Sequence, residues 1–339
     1  MSSQAPGSTS AASLALPLSP AVWPAYRADG WLRNAHLQTA FTAVVLSAPT
    51  PAYRRERVEL ADGDFLDLDW LDGDPRRLVV LVHGLQGSSR SPYMRRSASR
   101  LHAQGLSVCV MNLRGCSGEP NRLARSYHSG AIEDLDSVID RITTYRSGLS
   151  RLGLVGYSLG GNLILRWLAE RPRVSALRIA VSISAPVDLW AAVNRLDRGF
   201  SRLYQAWLMA SLRRAARRKL HLFPASIDRR LIGRLRNFRD YDEALTAPLH
   251  GFKDAADYYR RASSRPLLKQ IEVPSIIVHA RDDPFMDKSG IPATRELSSA
   301  CTARVSPYGG HVAFLQRNAA GTLESAFESN LAALMVEWL

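Results

Sequence analysis

A mostly parallel α/β sheet, wrapped on both faces by helices, is predicted for this chain of 339 residues. Three observations predict it. Short all-apolar runs, too brief for helices, recur between stretches whose apolar residues fall at helical spacing. A Gly-x-Ser-x-Gly pentapeptide stands where one such run meets a helical stretch. The rhythm stops between residues 186 and 267, where the pattern contains no buried strand, and then resumes.

Residues 54–60 and 65–70 read as a hairpin turned at Asp62-Gly63, with Phe65, Asp67 and Asp69 alternating against Leu66, Leu68 and Trp70. The run 78–82 is apolar throughout, as in a strand covered on both faces. Ser91-Pro92 reads as an N-cap followed by proline at the first helical position. Strand 106–113 follows, then a helix marked by Ile132, Leu135, Ile139 and Ile142, with Glu133 and Asp134 at its positive end. Further strands are expected at 152–156, 176–184, 275–279 and 304–307, and helices at 159–170 and 320–339.

The interruption contains a very basic amphipathic segment, 203–222, with Arg213, Arg214, Arg217, Arg218 and Lys219 as its wet face. A helical insertion there would cover the carboxyl ends of the strands, where open α/β sheets bind ligands. The expected organisation is a tail over residues 1–25, a core of 26–185 and 268–339, and a cap of 186–267.

Composition excludes several classes. Hydrophobic residues form 46% of the chain, enough for a sizeable core. No apolar run reaches the ~18 residues that span a bilayer. The Ser-, Ala- and Pro-rich start lacks a basic end and a clean apolar block, so it is read as no secretory signal, and a cytoplasmic location is expected. Three cysteines, Cys109, Cys116 and Cys301, form no C-x-x-C pair and argue against a disulfide framework. The histidines show no metal spacing, so no metal and no cofactor are expected. The net charge of +13 comes almost wholly from arginine spread along the chain. It is read as a solvated basic surface that binds no nucleic acid, with attraction to an anionic membrane surface, through the cap helix, or to an acidic partner as the alternatives. Oligomeric state is not legible.

Gly156-Tyr157-Ser158-Leu159-Gly160 carries the chemistry. At a strand-to-helix junction such a pentapeptide turns sharply and exposes the serine hydroxyl. The Leu159 N–H then points at a developing oxyanion, aided by the helix N-terminus. A serine hydroxyl needs a base, and the base an orienting acid. Asp282-Asp283-Pro284 follows the strand 275–279, and Gly309-Gly310-His311 follows the last short strand. This is the order serine, acid, histidine. His311 is the base, and Asp283 is preferred to Asp282 as the acid. His83-Gly84-Leu85-Gln86-Gly87 follows the strand 78–82 and offers Leu85 N–H as second oxyanion donor, with His83 a structural hydrogen bonder. Cys116 has no histidine in register and is read as a loop residue. Trp190, Phe200, Tyr204, Trp207 and Leu208 either line a groove under the cap or form its core.

Arg33-Asn34-Ala35-His36-Leu37-Gln38-Thr39, Ser91-Pro92-Tyr93, Arg114-Gly115-Cys116-Ser117-Gly118-Glu119-Pro120 and Arg125-Ser126-Tyr127-His128-Ser129-Gly130 stand beside these motifs. With them, the sequence resembles the YheT-like branch of the α/β-hydrolases over nearly the whole chain after about residue 25. The resemblance implies the α/β-hydrolase fold and an ester hydrolase with a Ser158–Asp283–His311 relay. It also implies a small-molecule ester or lipid substrate, since eukaryotic relatives act on acylglycerols or phospholipids. Acyl transfer through the same serine, or a non-catalytic binding module on the same fold, are the alternative readings.

Overall fold

The computed structural model describes residues 26–28, 30–44, 46, 48–171, 174–318 and 320–339. The tail expected over residues 1–25 lies outside them. After α1 (Ala35–Val44), the hairpin of β1 (Arg54–Glu59) and β2 (Phe65–Leu71) turns at Asp62-Gly63. The apolar runs form β3 (Asp74–Val82), β4 (Leu106–Asn112), β5 (Arg151–Tyr157), β6 (Leu177–Ile183), β7 (Ser275–Ala280) and β8 (Cys301–Ser306). The strands form one sheet in the order β1-β2-β4-β3-β5-β6-β7-β8. In this sheet β1 pairs with β2 and β2 with β4 antiparallel, and the other pairs are parallel.

The helices α2 (Pro92–Ala103), α3 (Ile132–Tyr145) and α4 (Leu159–Glu170) join successive strands. The pleat divides each strand between two cores. Leu78, Val80 and Val82 of β3 face Leu135 and Ile139 of α3 and Leu163 of α4. Val79 and Leu81 face the other way, toward Met94 and Leu101 of α2.

Between β6 and β7 the described residues form helices only. They are α5 (Leu189–Leu196), α6 (Ser201–Leu222), α7 (Arg229–Ile232), α8 (Phe238–Tyr241), α9 (Ala247–Leu249) and α10 (Ala255–Ala262), with a π-helical turn, Asp242–Thr246, joining α8 to α9 and a 3₁₀ helix, Arg265–Gln270, leading to β7. These helices bury their own cluster, including Leu189, Met209, Leu212, Leu245 and Tyr259. A closing helix, α11 (Ala326–Trp338), lies against α2.

Four expectations need correction. The alternating pattern of β2 predicts an exposed face, yet all seven of its residues are buried. Arg55 and Arg57 of β1 reach over it and grip Asp69 and Asp67 in two-pronged ion pairs at 2.7–3.0 Å, so the acids are neutralised in place. The last strand begins at Cys301, earlier than its apolar residues indicate, because β7 pairs with it from Ser275 onward. The closing helix begins at Ala326: the residues before it turn at Gly321 (φ +77°) into a hairpin of β9 (Leu315–Arg317) and β10 (Leu323–Ser325). Ser91 precedes Pro92 as expected, but its hydroxyl accepts from Ser88 N–H and caps nothing.

Candidate active site

Ser158 sits between β5 and α4 with φ 50° and ψ −118°, a backbone conformation that L-residues rarely adopt. Its own N–H donates to Ile183 O at 2.8 Å, which ties the bend to β6. The flanking glycines are steric necessities. A Cβ on Gly156 would lie 2.3 Å from Gly160 O, and one on Gly160 would lie 2.4 Å from Val82 O.

His311 Nε2 lies 3.1 Å from Ser158 Oγ, and its Nδ1 lies 2.8 Å from Asp283 Oδ2. Because a carboxylate only accepts, Nδ1 carries the proton and Nε2 presents a lone pair to the hydroxyl. The loop is fastened at three successive residues. Gly310 N–H donates to Asp282 Oδ1, His311 N–H to Thr39 Oγ1 and Val312 N–H to Ser184 Oγ, at 3.0, 3.0 and 3.1 Å. Asp282 and Asp283 thus divide their work: one holds the loop, the other the ring. Burial pushes the Asp282 carboxyl up, while Asp283 is 3% exposed and also accepts from Phe285 N–H. The Phe285 ring lies flat on His311, with centroids 4.0 Å apart and planes 4° from parallel.

The loop after β3 leaves one donor free. Gly84 N–H donates to Tyr93 Oη at 2.9 Å and Gln86 N–H to Tyr127 Oη at 2.7 Å. Between them, Leu85 N–H has no acceptor among the described residues, and neither has Leu159 N–H at the start of α4. Both residues line the cavity that contains Ser158. His83 Nε2 accepts from Leu113 N–H at 3.0 Å, and its Nδ1 lies 2.7 Å from Gly84 O. Burial lowers its pKa to about 4, so it is a neutral brace of the loop.

The cavity has a volume of about 510 Å³ and runs between the strand ends and the helices α5, α6, α8 and α10. Its wall is mainly apolar, with Leu159, Val193, Leu196, Leu208 and Leu212 prominent. Of the five candidates for a groove, Trp207 and Leu208 line it. Tyr204 stands behind it, between His36 and Phe285, while Trp190 packs on Tyr259 and Phe200 is exposed. Cys116 also faces the cavity, but burial pushes its thiol up to about 12, which keeps it protonated.

Lys219 departs from the wet face expected of it. It is buried, and its ammonium sits among the carbonyl oxygens of Asn121, Leu123 and Arg125. That loop is itself held by Asp64, which accepts from Asn121 Nδ2 and Arg122 N–H and pairs with the buried Arg114. Sequence reasoning did not assign roles to Phe285, Thr39, Ser184, or the tyrosines that leave Leu85 free. Tyr93 and Tyr127 stand in distinctive runs, but their targets are backbone groups that no spacing names. Among the described residues no cluster of three or more His, Cys, Asp or Glu could hold a metal ion.

A serine poised on a strained bend, facing a histidine and a carboxylate over a parallel sheet, defines the hydrolase class. Comparison with known proteins agrees. The family model described as the alpha/beta hydrolase fold matches residues 77–318. YheT of Escherichia coli strain K12, itself a proposed esterase, is 39% identical over 289 residues, covering 83% of this chain and 84% of its own. The mouse phospholipase ABHD3 is 28% identical, over 88% and 75% of the two chains. Among solved structures, the Pyrococcus furiosus esterase Pf2001 superposes with a TM-score of 0.55 at 16% identity, over 84% of this chain and 92% of that one. This chain belongs to the α/β-hydrolase family, in its YheT-like branch.

Proposed function

We propose that the protein cleaves carboxylic esters through an acyl-enzyme on Ser158. His311 Nε2 takes the hydroxyl proton as Ser158 Oγ bonds to the ester carbonyl carbon. The carbonyl electrons move to oxygen, and Leu85 and Leu159 N–H receive the resulting oxyanion. Asp283 keeps the His311 proton on Nδ1 and stabilises the imidazolium. When the carbon–alkoxy bond breaks, His311 gives its proton to the departing alcohol. Water then attacks the acyl-enzyme by the same sequence and frees the acid.

The observation that carries this reading is the relay Asp283–His311–Ser158, at 2.8 and 3.1 Å, beside two N–H groups with no other acceptor among the described residues. The apolar cavity favours a substrate with a substantial acyl group, such as a medium-chain or acylglycerol-type lipid ester. Relatives named as phospholipase and as monoacylglycerol lipase support the same class.

Hydrolysis of p-nitrophenyl esters of rising acyl length by the parent, Ser158→Ala and His311→Ala tests it. Turnover is expected in the parent, improving from acetate to longer chains, and should vanish in both variants. Parent-like rates in either variant would overturn the assignment.

A further inference from the structure

We propose that the outer face of α6 is a docking surface for an anionic phospholipid membrane, which sets the mouth of the Ser158 cavity against the lipid. The surface stands independently of the ester-hydrolase reading; its service as an entry route for substrate rests on that reading.

The helix has 22 residues, with Arg202, Arg213, Arg214, Arg217, Arg218 and Lys219 and no acidic side chain. Residues 186–267 as a whole carry 17 basic against 8 acidic side chains, a net +9 of the chain's +13. On its inner side α6 buries Leu208, Met209, Leu212 and Ala216. Its outer side is left uncovered by the described residues. There Leu203 is 60% and Trp207 70% exposed, and Phe200, just before the helix, 55%. His36 of α1 packs on Phe200 with centroids 4.4 Å apart, which sets the start of α1 beside this patch.

Positions 203, 207, 210, 214, 217 and 221 share one outward stripe at helical spacing. The stripe is apolar and aromatic in its first half and arginine-rich in its second. Arg202, Arg214, Arg217 and Arg218 are exposed and make no ion pair among the described residues. Exposed large apolar side chains at this density mark an interaction site. Tryptophan, leucine and arginine together suit the headgroup boundary of a bilayer, where rings enter the acyl edge and guanidinium groups meet phosphates. A polyanion such as nucleic acid would use the arginines but leave Phe200, Leu203 and Trp207 facing water.

Position relative to the cavity adds an independent reason. Trp207 and Arg218, both exposed, also line the cavity that contains Ser158. They lie eleven residues apart, roughly 16 Å along the helix. The cavity wall therefore reaches the surface along the same edge that carries the aromatic and basic groups.

The test is co-sedimentation of Ser158→Ala protein with phosphatidylcholine vesicles, with and without phosphatidylglycerol. Strong, salt-sensitive binding is expected only with the anionic lipid. Adding R214Q and R217Q should weaken partitioning roughly twenty-five-fold, at about fivefold per near-surface arginine. Leu203→Ser should weaken it without changing the salt dependence. With Ser158 intact, R214Q/R217Q should hydrolyse p-nitrophenyl acetate at the parent rate, since neither arginine lines the cavity. Failure of the parent surface to bind anionic vesicles at low salt would overturn the proposal. So would undiminished binding by R214Q/R217Q, or full displacement of the protein from vesicles by duplex DNA. Vesicle binding by a protein without esterase activity would sustain the docking surface while refuting the proposed chemistry; activity without vesicle binding would do the reverse.

Discussion

Replacing Ser158 by glycine should stabilise the fold relative to alanine at the same position, while both substitutions abolish ester turnover. The magnitude follows from the bend. With φ 50° and ψ −118°, Ser158 occupies a region that costs an L-residue about 1–3 kcal/mol. Both substitutions lose the hydrogen bond to His311, about 1 kcal/mol in each. Alanine retains the Cβ and therefore the strain. Glycine removes it but gains freedom in the unfolded chain, a loss of about 0.5–1 kcal/mol. Glycine should therefore exceed alanine by about 1 kcal/mol, within about 0–2.5 kcal/mol, read as a higher urea midpoint at unchanged slope. A thermal scan should show the same order. Alanine more stable than glycine would refute the claim that strain is stored at this bend. Turnover retained by either variant would refute the serine's role as nucleophile.

Three further outcomes are expected. Asp283→Asn should lower kcat on the order of 10⁴-fold by misplacing the His311 proton, whereas Asp282→Asn, which can still accept from Gly310 N–H, should stay within about tenfold; equal losses in steady-state assays would refute this division of roles. Phe285→Leu keeps an apolar side chain against His311 but removes the parallel ring, and should lower kcat about three- to tenfold, the worth of an aromatic pair; an unchanged kcat would show the stack to be incidental. Asp242, buried against Thr246 and Tyr259, has its carboxyl pushed up to about 6 from an ordinary 3.8. Folding then favours the protonated form, so its contribution is complete below about pH 4 and is lost as pH rises through 6. This is at most about 3 kcal/mol. Asp242→Asn should gain stability over the parent as pH rises from 4 to 7, and a pH-independent difference in melting temperature would count against it.

Much of this fold rests on signals local in the chain. Apolar runs such as 78–82 can bury both faces only within a sheet, and helical spacing such as Ile132, Leu135 and Ile139 can bury only one side of a helix. The Ser158 bend is also local, since the close approach of Gly156 to Gly160 spans a single turn of chain. The order serine, acid, histidine and the glycines before His311 made it readable which groups could meet at the candidate site, because each ends or follows a strand at the same edge of a parallel sheet.

What only the tertiary structure decided depends on contacts between distant segments. Asp67 and Asp69 look solvent-facing until Arg57 and Arg55 fold over them. Lys219 looks like one more surface cation until the loop at Asn121 surrounds it with carbonyls. Asp282 and Asp283 are adjacent carboxylates in sequence, and the path of the chain alone aims one at a ring nitrogen and the other at a backbone N–H. The free Leu85 N–H emerges because Tyr93 and Tyr127, from elsewhere in the chain, take the donors on either side of it. Periodicity reports which face of an element is apolar, and residue order reports which groups can meet. The direction of a single hydrogen bond or ion pair is set only when the packed chain places one donor within about 3 Å of one acceptor.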